Sequence, residues 1–288
     1  MRKTALALIL SVACVICSGN ILLVQAEEPG QVALEDGLTG YWNFDNEEEP
    51  MENKAEGSSL EGELSGEAVS VQKSDVEEFG NVLRFGTRQE ENAKMTIASA
   101  INSGGTEFSV SLWVKNSSAQ SDSAKTIILQ QSGAGRTLLY RRSGQYVTYI
   151  AGADATMGSS TGTDVWEHLV LVKTGNTSSY QLTLYVNGEK ANEQNLSAGA
   201  VDAVTDLIIG AHKTAGDTGQ FVGDIDELRL YDRAVTEEEV AALFAEHSSV
   251  LGGEDPSSEG GLTGYWNFDE GDTPINGVTD STLTGVLS

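Results

Sequence analysis

The stretch 223–244, GDIDELRLYDRAVTEEEVAALF, limits the possible folds more than any other. Residues 225–231 alternate as a strand does. Asp226, Leu228 and Leu230 are expected on one face, and Ile225, Glu227, Arg229 and Tyr231 on the other. Thr236 and Glu239 follow at capping-box spacing, so each can satisfy a free backbone amide at a helix start. Val240, Leu243 and Phe244 give that helix one apolar stripe.

Strand signals precede this unit in series, with turn residues between them. Residues 38–44 turn Leu38, Trp42 and Phe44 to one face, while 82–85 and 94–98 are short. Residues 108–115 alternate cleanly, with Phe108, Val110, Leu112 and Val114 inward. Strands are expected next at 126–131, 136–142 and 146–151, separated by Gly-containing turns. Residues 166–173 and 180–187 read as a hairpin, and Asn187-Gly188 is the dipeptide favoured in a type I′ turn. A further strand at 207–211 leads to the closing one. Beyond residue 26, no long helical period appears except after Thr236. The pattern is that of an all-β sandwich with one short C-terminal helix.

Residues 1–26 carry the marks of a signal peptide. Arg2 and Lys3 form a basic start, an apolar run extends to Cys17, and Val24-Gln25-Ala26 is a small-residue cleavage site. Ser18-Gly19-Asn20 interrupts the run, which argues against a permanent membrane helix. Both cysteines, Cys14 and Cys17, lie in the leader, so the exported chain has no disulfide. Losing the two leader charges takes the net charge from −26 to −28. Such a polyanion repels nucleic acid and anionic membranes, and suits a secreted protein that carries hard cations.

Gly37-Leu-Thr-Gly-Tyr-Trp-Asn-Phe-Asp45 recurs as residues 261–269, a period of 224 that fits a domain repeat. The expected organisation is a signal peptide at 1–26, a flexible lead-in at 27–36 and a domain at 37–248. A polar linker at 249–260 and the truncated start of a second such domain at 261–288 follow. On this reading the chain is a piece of a longer protein.

GLTGYWNFD, FSVSLWVK, WEHLVLV with LTLYVNGE, and GDIDELRLYDRAVTEEEV occur in the order and at the spacings of a laminin-G-like module. The chain therefore resembles the concanavalin-A-like jelly-roll superfamily from about Gly37 to Phe244. The resemblance implies a jelly-roll sandwich, a fold that hosts enzymes, lectins and adhesion modules. It also implies a calcium ion near Asp45, Asp224 and Asp226, since related modules often hold one at such strand-end positions. The other reading of Asp226 is a carboxylate that simply accepts backbone hydrogen bonds.

Some relatives cleave β-glucans with a Glu-x-Asp-x-x-Glu strand. Asp224-Ile-Asp226 looks like its start, but Leu228 and Arg229 stand where the third carboxylate belongs, so catalysis is not expected. Gly158-Ser-Ser160-Thr-Gly162 matches the serine-hydrolase pattern G-x-S-x-G. Its flanks at 153–157 and 163–164 read as loop, which is the wrong context. His168, His212 and His247 are far apart in sequence and lack metal-ligand spacing.

Tyr140, Arg141, Arg142, Tyr146 and Tyr149 lie close together on adjacent expected strands. They form the candidate ligand surface, with rings to stack on a sugar and guanidinium groups to grip a carboxylate. The alternative is that they are ordinary solvated strand positions. The function expected is a non-catalytic carbohydrate-binding or adhesion module of a secreted protein. Its partners would be a glycan or an extracellular matrix ligand, with no nucleic acid and no membrane insertion. Downstream domains of the same parent, such as a sialidase-like glycoside hydrolase, would be targeted by it. A spacer without glycan affinity and a divergent glycosidase are the alternatives.

Overall fold

A computed structural model describes residues 33–86, 93–101, 107–120, 126–131, 137–150, 153–176, 179–196, 205–212 and 219–251, with 266–267 and 275–276. The leader and its cleavage site lie outside the described residues, as do most of the expected linker and second module.

The strands in chain order begin with β1 (Leu38–Trp42), β2 (Gly62–Ser65), β3 (Val69–Lys73), β4 (Asn81–Phe85) and β5 (Lys94–Ile101). Next come β6 (Phe108–Asn116), β7 (Thr126–Gln131), β8 (Thr137–Arg142), β9 (Gln145–Ile150) and β10 (Ala153–Ser159). The last are β11 (Trp166–Gly175), β12 (Tyr180–Val186), β13 (Glu189–Leu196), β14 (Thr205–Ile209) and β15 (Gly223–Tyr231), followed by helix α1 (Glu237–Ala245). One sheet runs β13-β12-β11-β6-β15-β4-β3, with β1 also pairing β15. The other runs β10-β9-β8-β7-β14-β5-β2. All pairings are antiparallel, and the two sheets enclose the main core in a jelly-roll sandwich. Within the second copy of the repeat, Trp266–Asn267 pairs with Ile275–Asn276.

Strand β6 shows why the alternating pattern works. Phe108, Val110, Leu112 and Val114 enter the core between the sheets, as the alternation predicts. Its other face, Ser109, Ser111 and Trp113, is buried too, because α1 and the turn around Phe79 cover it. Small serines leave room for this cover. Ser109 Oγ donates to the Arg233 carbonyl at 2.8 Å and accepts from the Val235 amide at 3.0 Å, fixing the corner that leads into the helix.

The helix start is as expected. Thr236 Oγ1 accepts from the Glu239 amide at 3.2 Å, and Glu239 Oε2 accepts from the Thr236 amide at 2.7 Å. Val240 and Leu243 pack on Val170, Val172, Tyr185 and Tyr231, while Phe244 turns toward Trp113. The β12–β13 turn has positive φ at both Asn187 (51°) and Gly188 (81°), the type I′ geometry. Among the described residues, no helix is long and apolar enough to cross a membrane.

Two expectations are corrected. Residues 153–159 form the edge strand β10 instead of a loop, with Gly158 packed near Ala191 of β13. The closing strand does not alternate throughout. A β-bulge lies between Asp226 and Arg229, where Glu227 takes φ 50°. Ile225 therefore enters the core together with Leu228 and Leu230, and Asp226 leaves their face. The bulge coincides with a change of neighbour. Gly223–Ile225 pair with β4, whereas Leu228–Tyr231 pair with β1.

Candidate functional site

The carboxylates of β15 sit on its outer face, and their environments differ sharply. Asp224 is in register with Arg84 of β4. The guanidinium meets it with two parallel hydrogen bonds, Nε at 2.6 Å and Nη2 at 2.9 Å, while Nη1 reaches Gln72 Oε1 at 3.3 Å. Asp226 is 1% exposed and accepts the Glu227 amide at 2.7 Å. Its burial, and then the negative charges of Glu227 and Asp45, push its carboxyl well above the usual range.

Asp45 reaches this neighbourhood through a special backbone. Phe44 has φ 54°, which swings the chain out after its ring enters the core. Asp45 Oδ1 accepts the Asn81 amide at 2.8 Å, and Oδ2 accepts from Asn43 at 3.2 Å. A Cβ on Gly80 would lie 2.2 Å from Asp45 Oδ1, so the carboxylate fits there because residue 80 is glycine. Of the three expected calcium ligands, the fold brings Asp45 within electrostatic reach of Asp226 and commits Asp224 to Arg84. Asp45 and Asp226 both offer carboxylate oxygens, the hard donors that calcium takes, but two of the roughly six to eight that complete its shell.

Beyond the bulge the charges form a closed network. Glu227 accepts the Tyr41 hydroxyl at 2.9 and 3.1 Å and Arg229 Nη2 at 2.9 Å. Arg229 Nη1 also donates to Glu246 at 2.5 Å, and the guanidinium lies 4.5 Å from the Tyr41 ring centre. His247 stacks on Phe79 and stands between Glu78 (3.5 Å) and Glu227 (3.6 Å). Burial acts to lower its pKa, but Glu227 and the neighbouring Glu78 and Glu246 outweigh that and raise it. Burial acts to raise Glu227, yet His247, Arg229 and Tyr41 together hold it below the usual glutamate range.

Glu227, Glu246 and His247 offer ligand atoms within 4.8 Å of one another. Arg229 already bonds to both carboxylates, so the set reads as a salt-bridge network and not as a cation cage. His168 lies on the same side of the sheet, beside Trp113, with Nε2 2.9 Å from Ser111 Oγ. Burial lowers it to about 3 and keeps it neutral. The fold thus brings His168 and His247 to one tryptophan, a proximity that their sequence spacing hides.

The β8–β9 hairpin exists, turning through Ser143 and Gly144 at positive φ. Its aromatic surface needs correction. Tyr140 and Tyr146 are both 0% exposed. Tyr146 enters the main core and donates to Glu167 at 2.8 Å, while Tyr140 packs with Ile127 and Val147. Neither can offer a ring face to a sugar. Arg141 is buried, whereas Arg142 is exposed and pairs with Asp154 at 3.1 Å, with its guanidinium 5.6 Å from the Tyr140 ring centre. Tyr149 is half-buried against the Tyr140 cluster. Alternation in the sequence could not show that both faces of these strands are covered.

The G-x-S-x-G segment overlaps the end of β10 and leads to β11, with no helix between the two strands. Ser160 Oγ donates to Glu167 at 2.7 Å, a structural bond beneath the loop. Clefts open on the described surface in several places. Two flank Ser58–Leu60, with about 530 and 470 Å³, and carry carboxylates but no cation. Another, about 260 Å³, lies where β4 and β6 end and β15 begins, and is lined by Arg84, Lys115, Asp164 and Asp224.

Solved structures share this architecture. The binding domain of Paraclostridial Mosquitocidal Protein 1 superposes with TM-score 0.56 at 16% identity, covering 73% of this chain and 52% of that one. The receptor binding domain of botulinum neurotoxin mosaic serotype C/D gives 0.57 at 16%, covering 75% and 52%. Domain 4 of AbnA, a GH43 extracellular arabinanase from Geobacillus stearothermophilus, was solved with arabinotriose. It gives 0.51 at 19%, covering 72% and 97%. The chain spans about half the length of the two toxin binding domains. At these identities the likeness is one of fold. No curated protein matches the chain in sequence. A sequence profile described as the concanavalin A-like lectin/glucanases superfamily matches residues 89–241.

Proposed function

The chain belongs to the concanavalin A-like lectin/glucanases superfamily, and on that premise we propose that it is a non-catalytic carbohydrate-binding module of a secreted protein. The observation that carries this reading is the condition of the β15 carboxylates. Asp224 is held by Arg84, Asp226 is buried, and Glu227 is bonded to Tyr41 and Arg229. Glycoside hydrolysis needs two carboxyl groups flanking an open scissile bond, and these three do not present one. The likeness in fold to a toxin binding domain, and to an arabinanase domain solved with arabinotriose, supports the same reading.

The proposal has two further parts. One calcium ion is held by Asp45 and Asp226, where it would neutralise a buried carboxylate that lacks a cation of its own. It is structural in role, and Asp224 takes no part. The leader directs export, and in a longer parent chain the module carries an attached sialidase-like glycoside hydrolase to its glycan.

The test is to incubate the full chain with an immobilised panel of neutral and sialylated oligosaccharides, and to assay the same oligosaccharides for cleavage. Binding without release of products is the expected result. Product formation would overturn the non-catalytic reading. Failure to bind any glycan would leave a structural spacer.

A further inference from the structure

We propose that the cleft where β4 and β6 end and β15 begins is a subsite for one neutral sugar ring. This rests on the carbohydrate-binding reading and gives it a location and a ligand class. At about 260 Å³ the cleft is smaller than the pockets of roughly 300–1,000 Å³ that take drug-sized ligands, which suits a single ring.

The chemistry of the lining selects hydroxyl groups. Each hydroxyl of a sugar donates one hydrogen bond and accepts others, so it is best met by donor and acceptor side by side. Arg84 and Asp224 supply this as a rigid unit. Their two parallel bonds and the contact with Gln72 use three of the five guanidinium N–H groups. The remaining donors, and spare lone pairs on Asp224, stay in the same plane. Lys115 also lines the cleft, on β6 in register with Asp224, with its ammonium bonded to Asp75 at 2.6 and 2.8 Å. Asp164 accepts the Ser118 amide at 3.0 Å, and that interaction with Ser118 holds its carboxyl below the usual range.

Both cations in the cleft are therefore matched by carboxylates. A carboxylated sugar would gain no net local attraction there, and would approach against the net charge of the chain. Neutral rings avoid that penalty.

The glycines of the wall fall into two kinds. Gly223 has φ 146°, and a Cβ there would lie 2.0 Å from the Lys115 carbonyl, so its identity follows from the close pairing of β15 with β6. Gly86 has no such reason. Its φ is ordinary, and among the described residues a Cβ would meet the Ala68 carbonyl alone, at 3.5 Å. A side chain there meets no close obstacle among the described residues, and Gly86 lines the cleft that it would narrow.

Gly86→Leu should block the subsite while leaving the fold intact, and Lys115→Ala should weaken it without filling it. The full chain and both variants are titrated with neutral oligosaccharides and their sialylated counterparts, alongside thermal melts. The expected result is binding of neutral oligosaccharides that changes little with salt. Gly86→Leu should weaken it at least tenfold with an unchanged melt, and Lys115→Ala by a smaller factor. Neutral binding indifferent to both substitutions would overturn this location and leave the module reading standing. Preference of the wild type for sialylated forms would overturn the ligand class. If the wild type binds no oligosaccharide, both readings fall.

Discussion

Asp224 and Asp226 are two residues apart on one strand and one face, yet they are opposite cases of a buried carboxylate. Asp224 meets a guanidinium in its own register and is neutralised by it. Asp226 lies where the neighbour changes from β4 to β1, and the negative charges of Glu227 and Asp45 act on it. Arg229 opposes the effect only weakly, because its hydrogen bonds go to Glu227 and Glu246. The cost of a buried charge is thus set by what the adjacent strand brings, and hardly at all by the local sequence.

The largest effect that would sharpen this contrast concerns calcium. Asp226 has a folded pKa above its unfolded value. Its contribution to stability is full below the unfolded pKa and is lost as pH rises through the folded one, so at neutral pH the bare carboxylate destabilises. Calcium at Asp45 and Asp226 would reverse this. A millimolar concentration over a micromolar site contributes about 4 kcal/mol. Chelator should lower Tm of the wild type, and Asp45→Ala should lose that response. Asp226→Asn should melt higher than wild type in chelator and ignore calcium. A wild-type melt unmoved by chelator would dispose of the calcium site.

Asp224→Ala comes next. It strips Arg84 of its bidentate partner, and because the Arg84 side chain is 34% exposed, water recovers part of the loss. Destabilisation of about 1–2 kcal/mol at neutral pH is expected, independent of calcium. A calcium-dependent loss would show that Asp224 is a metal ligand and that the contrast with Asp226 is wrong.

The smallest effect belongs to His247. It faces Glu78, Glu227 and Glu246, and shares the Trp113 neighbourhood with His168. Its raised folded pKa gives stability that is complete below about 6.5 and fades as pH rises through the folded value. Tm should therefore decline from pH 6 to pH 8 by an amount worth about 1 kcal/mol or less. His247→Gln should flatten that slope, and an unchanged slope in the variant would assign the pH dependence elsewhere.

The candidate site was less legible than the fold. The alternation of 108–115, the Thr236–Glu239 capping box and the Asn187-Gly188 turn are local devices, and each was readable because its cause lies within a few residues. The calcium candidates were legible as strand-end acids, but not which of them would be neutralised. The Tyr140–Tyr149 cluster misled because a two-residue period says which side chains share a face and nothing about what covers that face.

The sequence alone determined an all-β sandwich, the inward face of β6, the position of the helix and its cap. Tertiary structure decided the β-bulge at Glu227, which moved Ile225 into the core and Asp226 out of it. It also decided the pairing of Arg84 with Asp224, 140 residues apart, and of Tyr41 with Glu227, 186 apart. Periodicity and caps arise from bonds that a short segment makes with itself. Charge partners arise from register between strands distant in sequence, which is fixed when the sheets close around their common core.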